Sequence, residues 1–290
     1  MSAIKKHNRR GLALLMVVAC ILVITVALVK ISRESLLIAI ETADAVDSVT
    51  LRWEQASLQL AATRCATEAF GGQVAAFPTP MGPIRSYELD VTLNNRAYRL
   101  LLADESAKLH LQTLARLDEG TSAASLLTTV TAGKLRGRLD SPVNVDSGTI
   151  RGWGDVVSIG SGQSRGVRVE DLPVLTTDVT VWGDGKINVD RTPDPLLFEM
   201  SRLILPDSES REWIENYRSA IPRKSLTTVL DELTIEEEER RKLRRVLTSQ
   251  SSCVSAWIIR RGFPDAGHSV SISVRGGASL WETKTTYFDW

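Results

Sequence analysis

The chain has 290 residues, with 35 Lys+Arg against 35 Asp+Glu and 43% hydrophobic residues. A formal net charge of zero excludes a protein held to nucleic acid by phosphate neutralisation, and the length suffices for one large domain or two modest ones. Cys20, Cys65 and Cys253 are too few and too scattered for a disulfide-scaffold mini-protein or a CxxC zinc or redox site.

The first element is apolar. Residues 12–29 carry no charge, no Pro and no Gly. As a helix they reach roughly 27 Å, close to the thickness of a bilayer's hydrocarbon core. Lys5, Lys6, Arg9 and Arg10 precede them and the first acidic residue is Glu34, so the positive-inside rule leaves the N-terminus in the cytoplasm and exports the rest. A cleavable secretory signal has a shorter apolar stretch, about 7–15 residues, ending in small residues before the cut. Val26-Ala27-Leu28-Val29-Lys30 offers no such site, which predicts a retained single-pass anchor. No Gly or Pro occurs from Leu12 to Phe70, and Gly71-Gly72 then supply a stop signal, so one helix of about 88 Å is predicted. Beyond Lys30 the residues Ile31, Leu36, Leu37, Ile40, Ala43 and Val46, then Trp53, Ala56, Leu60 and Ala61, recur near helical spacing and predict an amphipathic continuation that lies on something.

Next, Tyr87, Leu89, Val91 and Leu93 alternate with polar residues, Asn94-Asn95 reads as a turn, and Tyr98, Leu100 and Leu102 resume the alternation. This is a hairpin. Residues 112–248 are more helical. Thr192-Pro193 reads as an N-cap with Pro at the first helical position, a second helix follows Asp207 with Trp213, Ile214, Tyr217 and Ile221, and Thr234 to Glu237 reads as a capping box. Glu236, Glu237 and Glu238 stand four residues before Arg240, Arg241 and Lys242, the pattern of a solvated helix face. Strands close the chain: Val254, Ala256 and Ile258; Val270, Ile272 and Val274 alternating with Ser; then Thr283 to Trp290.

Arg9-Arg10-Gly11 followed by Leu12-Ala13-Leu14-Leu15-Met16 resembles the leader junction of the type IV pilin and pseudopilin family. The resemblance implies cleavage by prepilin peptidase between Gly11 and Leu12; a peptidase subsite that admits the backbone closely suits a residue without Cβ. Most members carry Glu at the fifth mature position, which is Met16 here. A buried unpaired carboxylate is costly, so a subunit with no neighbour above it can dispense with one. The branch that lacks it is the general secretion pathway protein K family, the large minor pseudopilin at the tip of the type II secretion pseudopilus. Asp104-Glu105-Ser106-Ala107-Lys108-Leu109-His110-Leu111 resembles that family's "DE-x-GK-L-x-L" turn and strand, and the stretch from Val179 to Leu197 resembles its strand, turn, "INVNTA" segment and helix, with Asp190-Arg191 replacing Asn-Thr. Residues 120–175 are more Gly- and Ser-rich than the family's acidic helical region.

The resemblance implies an α+β, pilin-like fold: a long N-terminal helix packed on an antiparallel sheet, with an inserted mainly helical domain. The segments are a basic leader at 1–11, a membrane helix at 12–29, the amphipathic helix and first strands at 30–111, the insertion at 112–248 and the closing strands at 249–290. It further implies a non-enzymatic subunit of the inner membrane, periplasmic beyond its anchor, whose partners are other minor pseudopilins and prepilin peptidase. A minor pilin of a type IV pilus is the nearest alternative, and a membrane-tethered periplasmic hydrolase the alternative from another class.

Chemical motifs are sparse. Gly162-Gln163-Ser164-Arg165-Gly166 fits G-x-S-x-G, but Val167-Arg168-Val169 alternates like a strand where a nucleophile elbow needs a helix. His7, His110 and His268 lack the H-E-x-x-H pattern, and no Walker A sequence occurs. No cofactor is expected. Asp140, Asn144 and Asp146, or Asp184, Asn188 and Asp190, offer oxygen ligands for calcium without EF-hand spacing. Cys65 and Cys253 are the exported thiols, placed for either a bridge between helix and sheet in an oxidising compartment or two buried free thiols.

Overall fold

The computed structural model describes residues 5–71, 84–117, 153, 176–220, 224–262, 268–276 and 280–288. The chain divides into two compact units, Met1–Glu54 and Gln55–Trp290. Helix α1, Lys5–Phe70, supplies the described part of the first and enters the second. Its length follows from the unbroken run without Gly or Pro.

In the second unit the end of α1 lies on a five-stranded antiparallel sheet. The strands are β1 (Ser86–Leu93), β2 (Arg96–Asp104), β7 (Cys253–Arg260), β8 (His268–Arg275) and β9 (Trp281–Phe288), in the spatial order β1-β2-β7-β8-β9. The long helix on an antiparallel sheet is thus the observed architecture. Asn94 and Asn95 both have positive φ, the backbone that a two-residue hairpin loop requires and that Asn tolerates, so the expected turn and both its strands are present.

Between β2 and β7 the chain leaves the sheet. It forms a 3₁₀ turn at Glu105–Ala107, β3 (Leu109–His110) running into α2 (Leu111–Leu117), then β4 (Val179–Thr180) and β5 (Ile187–Asn188). Four helices follow, α3 (Asp194–Ser201), α4 (Asp207–Ser219), α5 (Leu226–Glu232) and α6 (Glu237–Val246), before β6 (Leu247–Thr248) returns to β7. Short parallel pairs, β3 with β4 and β5 with β6, stitch this helical lobe together.

Two apolar clusters divide the unit. One joins α1 to the sheet through Leu58, Ala62, Ala66, Ala69 and Phe70 against Tyr98, Leu100, Leu102, Val254, Ala256 and Ile258. The other fills the lobe around Leu197, Trp213, Leu230 and Leu243 and reaches the opposite sheet face at Trp257 and Val270. Successive residues of a strand point to opposite faces, so β7 serves both clusters in turn.

The apolar residues picked out by helical spacing are not the ones that meet the sheet. Trp53 is 71% and Leu60 75% exposed, and Ala56 and Ala61 are exposed as well. The buried face is Gln55, Leu58, Gln59, Ala62, Ala66, Ala69 and Phe70. Alanines let the helix approach closely, and the glutamine is satisfied: Gln59 donates to the Ala256 carbonyl at 3.0 Å and accepts from the Ser269 hydroxyl at 2.5 Å. Serines complete that surface. Ser269, Ser271 and Ser273 of β8 are buried toward the helix, with Ser271 and Ser273 bonded to Thr285 and Thr283 of β9, whereas Val274 on the other face is exposed. Polarity therefore misleads on both elements, because hydroxyl and amide groups that pair with each other are cheap to bury.

Helix starts also shift. Helix α3 begins at Asp194 with Pro193 as its cap and Pro195 in its first turn, while the Thr192 hydroxyl bonds back to the Asn188 carbonyl at 2.7 Å. The box expected at Thr234 is carried by Glu236 and Glu239, whose carboxylate accepts the Glu236 N–H at 3.1 Å. Glu238 pairs with Lys242 at 3.1 Å as expected, but Arg240 turns to Glu237 and to the Leu230 and Leu233 carbonyls at the end of α5. That arginine is a helix C-cap rather than part of a solvated face. The second helix runs from Asp207 as expected, and Ile221 lies outside the described residues.

Candidate functional site

Two regions carry functional information: the N-terminal helix and a buried polar junction at its far end. Gly11 and Leu12 fall within α1, which already begins at Lys5, so the basic segment and the apolar span are one continuous helix. From Leu14 onward the span is exposed along its whole circumference, and Met16 is 63% exposed. A helix greasy all round has no surface to give to water. Thr25 carries the one hydroxyl of residues 12–29 and returns it to the Ile21 carbonyl at 2.8 Å, which leaves no unpaired hydroxyl donor in the span. The helix is long and apolar enough to cross a membrane, compatible with a single-pass anchor.

At the other end, Gly71 closes α1 with its N–H on the Thr67 carbonyl at 2.8 Å. A Cβ there would stand 2.3 Å from that oxygen and 3.1 Å from the Trp281 ring, so the position admits glycine alone without movement. Arg191 lies across this helix end. Its guanidinium donates to the carbonyls of Ala69 at 3.2 Å and Ile84 at 3.3 Å, sits 5.2 Å over the Phe70 ring, and places Nε 3.6 Å from the Asp104 carboxylate. A cation at a helix C-terminus complements the partial negative charge of its carbonyls. Arg191 thereby ties the lobe to the helix and to the first strand's approach.

Asp104 and Glu105 are fully buried. Asp104 accepts the Ser106 N–H at 3.0 Å and the Ser251 hydroxyl, and Ser251 in turn accepts from the Asn188 amide at 2.9 Å. Glu105 holds the Lys108 ammonium at 2.6 Å and accepts from the Ser255 hydroxyl, while its second oxygen is buried without a hydrogen bond. Burial pushes the Asp104 carboxyl up to about 7, against the opposing effects of Ser251, Arg191 and the Ser106 N–H. Burial likewise lowers His110 and drives the Cys253 thiol well up, so that thiol is an inert one.

No protein-family model and no curated protein matches the sequence. Among solved structures, a chain of the GspK-GspI-GspJ complex from the type 2 secretion system of enterotoxigenic Escherichia coli is similar over 86% of this chain and 100% of that one, at 11% identity and a TM-score of 0.45.

The remaining candidate residues are placed as follows. Cys65 and Cys253 are free thiols. Val254 faces α1, so its neighbour Cys253 points to the other side of the sheet, beside Gly183, and the sheet itself separates it from Cys65 on the helix. The bridge is excluded in this fold. Asp184 accepts from the Lys186 N–H and the Ser252 hydroxyl, Asn188 donates to Ser251 and accepts from the Asp190 N–H, and the Asp190 carboxylate accepts from the Tyr217 hydroxyl. The three side chains are engaged in separate bonds, and among the described residues no group of three His, Cys, Asp or Glu side chains is placed to hold a metal ion. Asp140, Asn144, Asp146 and the stretch from Gly162 to Gly166 lie outside the described residues. His110 lies in β3, with Nδ1 3.4 Å from the Thr113 N–H, and His268 opens β8.

Sequence reasoning did not identify the Asp104–Arg191 junction. Its two signals were in view: the Asp-Glu-x-x-Lys run from 104 to 108, and the arginine standing where the resembling family has threonine. Neither says which residues meet.

Proposed function

We propose that this chain is a minor pseudopilin, cleaved between Gly11 and Leu12 by prepilin peptidase and held in the inner membrane by residues 12–29. Its folded part then lies in the periplasm, where it caps the tip of a type II secretion pseudopilus beside other minor pseudopilins and performs no catalysis. The observation that carries this reading is the continuity of α1, which runs from a basic segment through a fully exposed apolar span into the helix-on-sheet unit. A retained apolar helix joined without a break to a folded body is what a subunit needs if it is to be anchored first and pulled into a fibre later. Met16 and the helical lobe suit an end position: the span lacks a carboxylate to pair with a subunit above, and the lobe adds bulk that a narrow repeating fibre must exclude.

Intact-mass analysis of the protein purified from membranes of cells with active prepilin peptidase tests the cleavage. The expected chain begins at Leu12, and Gly11→Val leaves the leader in place. A wild-type chain that still carries residues 1–11 would overturn the proposal.

A further inference from the structure

The first two turns of α1 are made differently from the rest of it. The helix begins at Lys5 and passes through Gly11 and Leu12 without a break. Its first turn carries no acidic residue, and Lys5, Lys6, Arg9 and Arg10 set four positive charges at the end of a helix that already bears partial positive charge. Lys5 and Arg9, and Lys6 and Arg10, are spaced four apart, and like charges at that spacing destabilise a helix. His7 and Asn8 are poor helix formers, and Gly11 is the one glycine among the 66 residues of α1. The character changes at that glycine, because residues 12–29 hold no charge, no Gly and no Pro.

The bond proposed for cleavage stands at this boundary. In a regular helix the Gly11 carbonyl accepts the Leu15 N–H and the Leu12 N–H donates to the Asn8 carbonyl, so both sides of the scissile amide are held. Hydrolysis breaks the C–N bond between Gly11 and Leu12; the oxygen of water enters the Gly11 carboxylate and its two hydrogens go to the Leu12 ammonium. A peptidase reaches that carbonyl only in a locally opened chain.

We propose that residues 5–11 are an unwinding segment that sets where and how fast the leader is removed. The segment opens as far as Gly11 and frees its carbonyl for attack, and the unbroken apolar helix from Leu12 stops the opening there. The N–H groups of Leu12 to Leu15 then become the four open donors of the shortened helix. This rests on the pseudopilin reading, since it concerns the rate and register of the same cut.

The test compares Asn8→Ala with Asn8→Gly in the full chain, in detergent micelles with purified prepilin peptidase. Both variants remove the same side-chain contacts with the peptidase, but alanine holds a helix and glycine releases it. Asn8→Gly is expected to be cut with a kcat/KM about fivefold above that of Asn8→Ala. Without peptidase, the amides of Leu12 to Leu15 are expected to exchange faster in Asn8→Gly by a similar factor. Equal kcat/KM in the two variants, or faster cutting of Asn8→Ala, would overturn the unwinding segment and leave the cut itself in place. A wild-type chain that the peptidase does not cut would overturn the pseudopilin reading and this inference with it.

Discussion

Single atoms decide the end of the long helix. The absence of a Cβ at Gly71 lets α1 finish against Trp281, and one guanidinium then covers the carbonyl that the helix leaves open at Ala69. Gly71→Ala forces the new methyl group, the Thr67 carbonyl or the Trp281 ring to move, and is expected to cost about 1–3 kcal/mol in denaturant unfolding. An unchanged midpoint would show that the helix end relaxes freely. Arg191 would have been unreadable as a cap from the sequence, because its partners at Ala69, Ile84 and Asp104 are brought to it only by the fold. The same holds for the cysteines, whose sides of the sheet depend on register.

At the scale of elements, hydrophobic periodicity located the strands well and left open which stripe of the helix meets the sheet. Alternation is robust in β2 and β7, where Leu100, Leu102, Ala256 and Ile258 all face one cluster. On α1 the apolar residues occur on more than one side, so period alone could not say which side meets the sheet. The structure's answer yields a paired prediction. Leu58→Ser, on the buried stripe, is expected to cost about 2–5 kcal/mol, whereas Leu60→Ser, one residue beyond the interface and exposed, stays within about 0.5 kcal/mol of wild type. Urea unfolding of both variants checks it, and a reversed order would place the Trp53 and Leu60 side against the sheet. Helix boundaries moved by one or two residues for a local reason: Thr192 spends its hydroxyl on the turn at Asn188, leaving Pro193 as the cap of α3.

For the whole molecule, the proposed tip position makes a prediction that concerns the fibre. Antibodies to the lobe are expected to label pseudopili at one end, and Met16→Glu brings little gain of function because a terminal subunit has nothing above it to pair with. Labelling along the full length would favour the type IV minor pilin reading instead. The sequence by itself determined the long helix, its apolar span, the β1–β2 hairpin and the closing strands, because these rest on local rules: unbroken helix-forming residues, length against bilayer thickness, and alternation between turn residues. Only the tertiary structure decided which helix face is buried, that the serines of β8 line it, that Cys65 and Cys253 stay apart, and that Asp104, Glu105 and Arg191 share one junction. Those outcomes depend on pairings between residues far apart in the chain, where a polar group's burial is settled by whether a distant partner arrives to satisfy it.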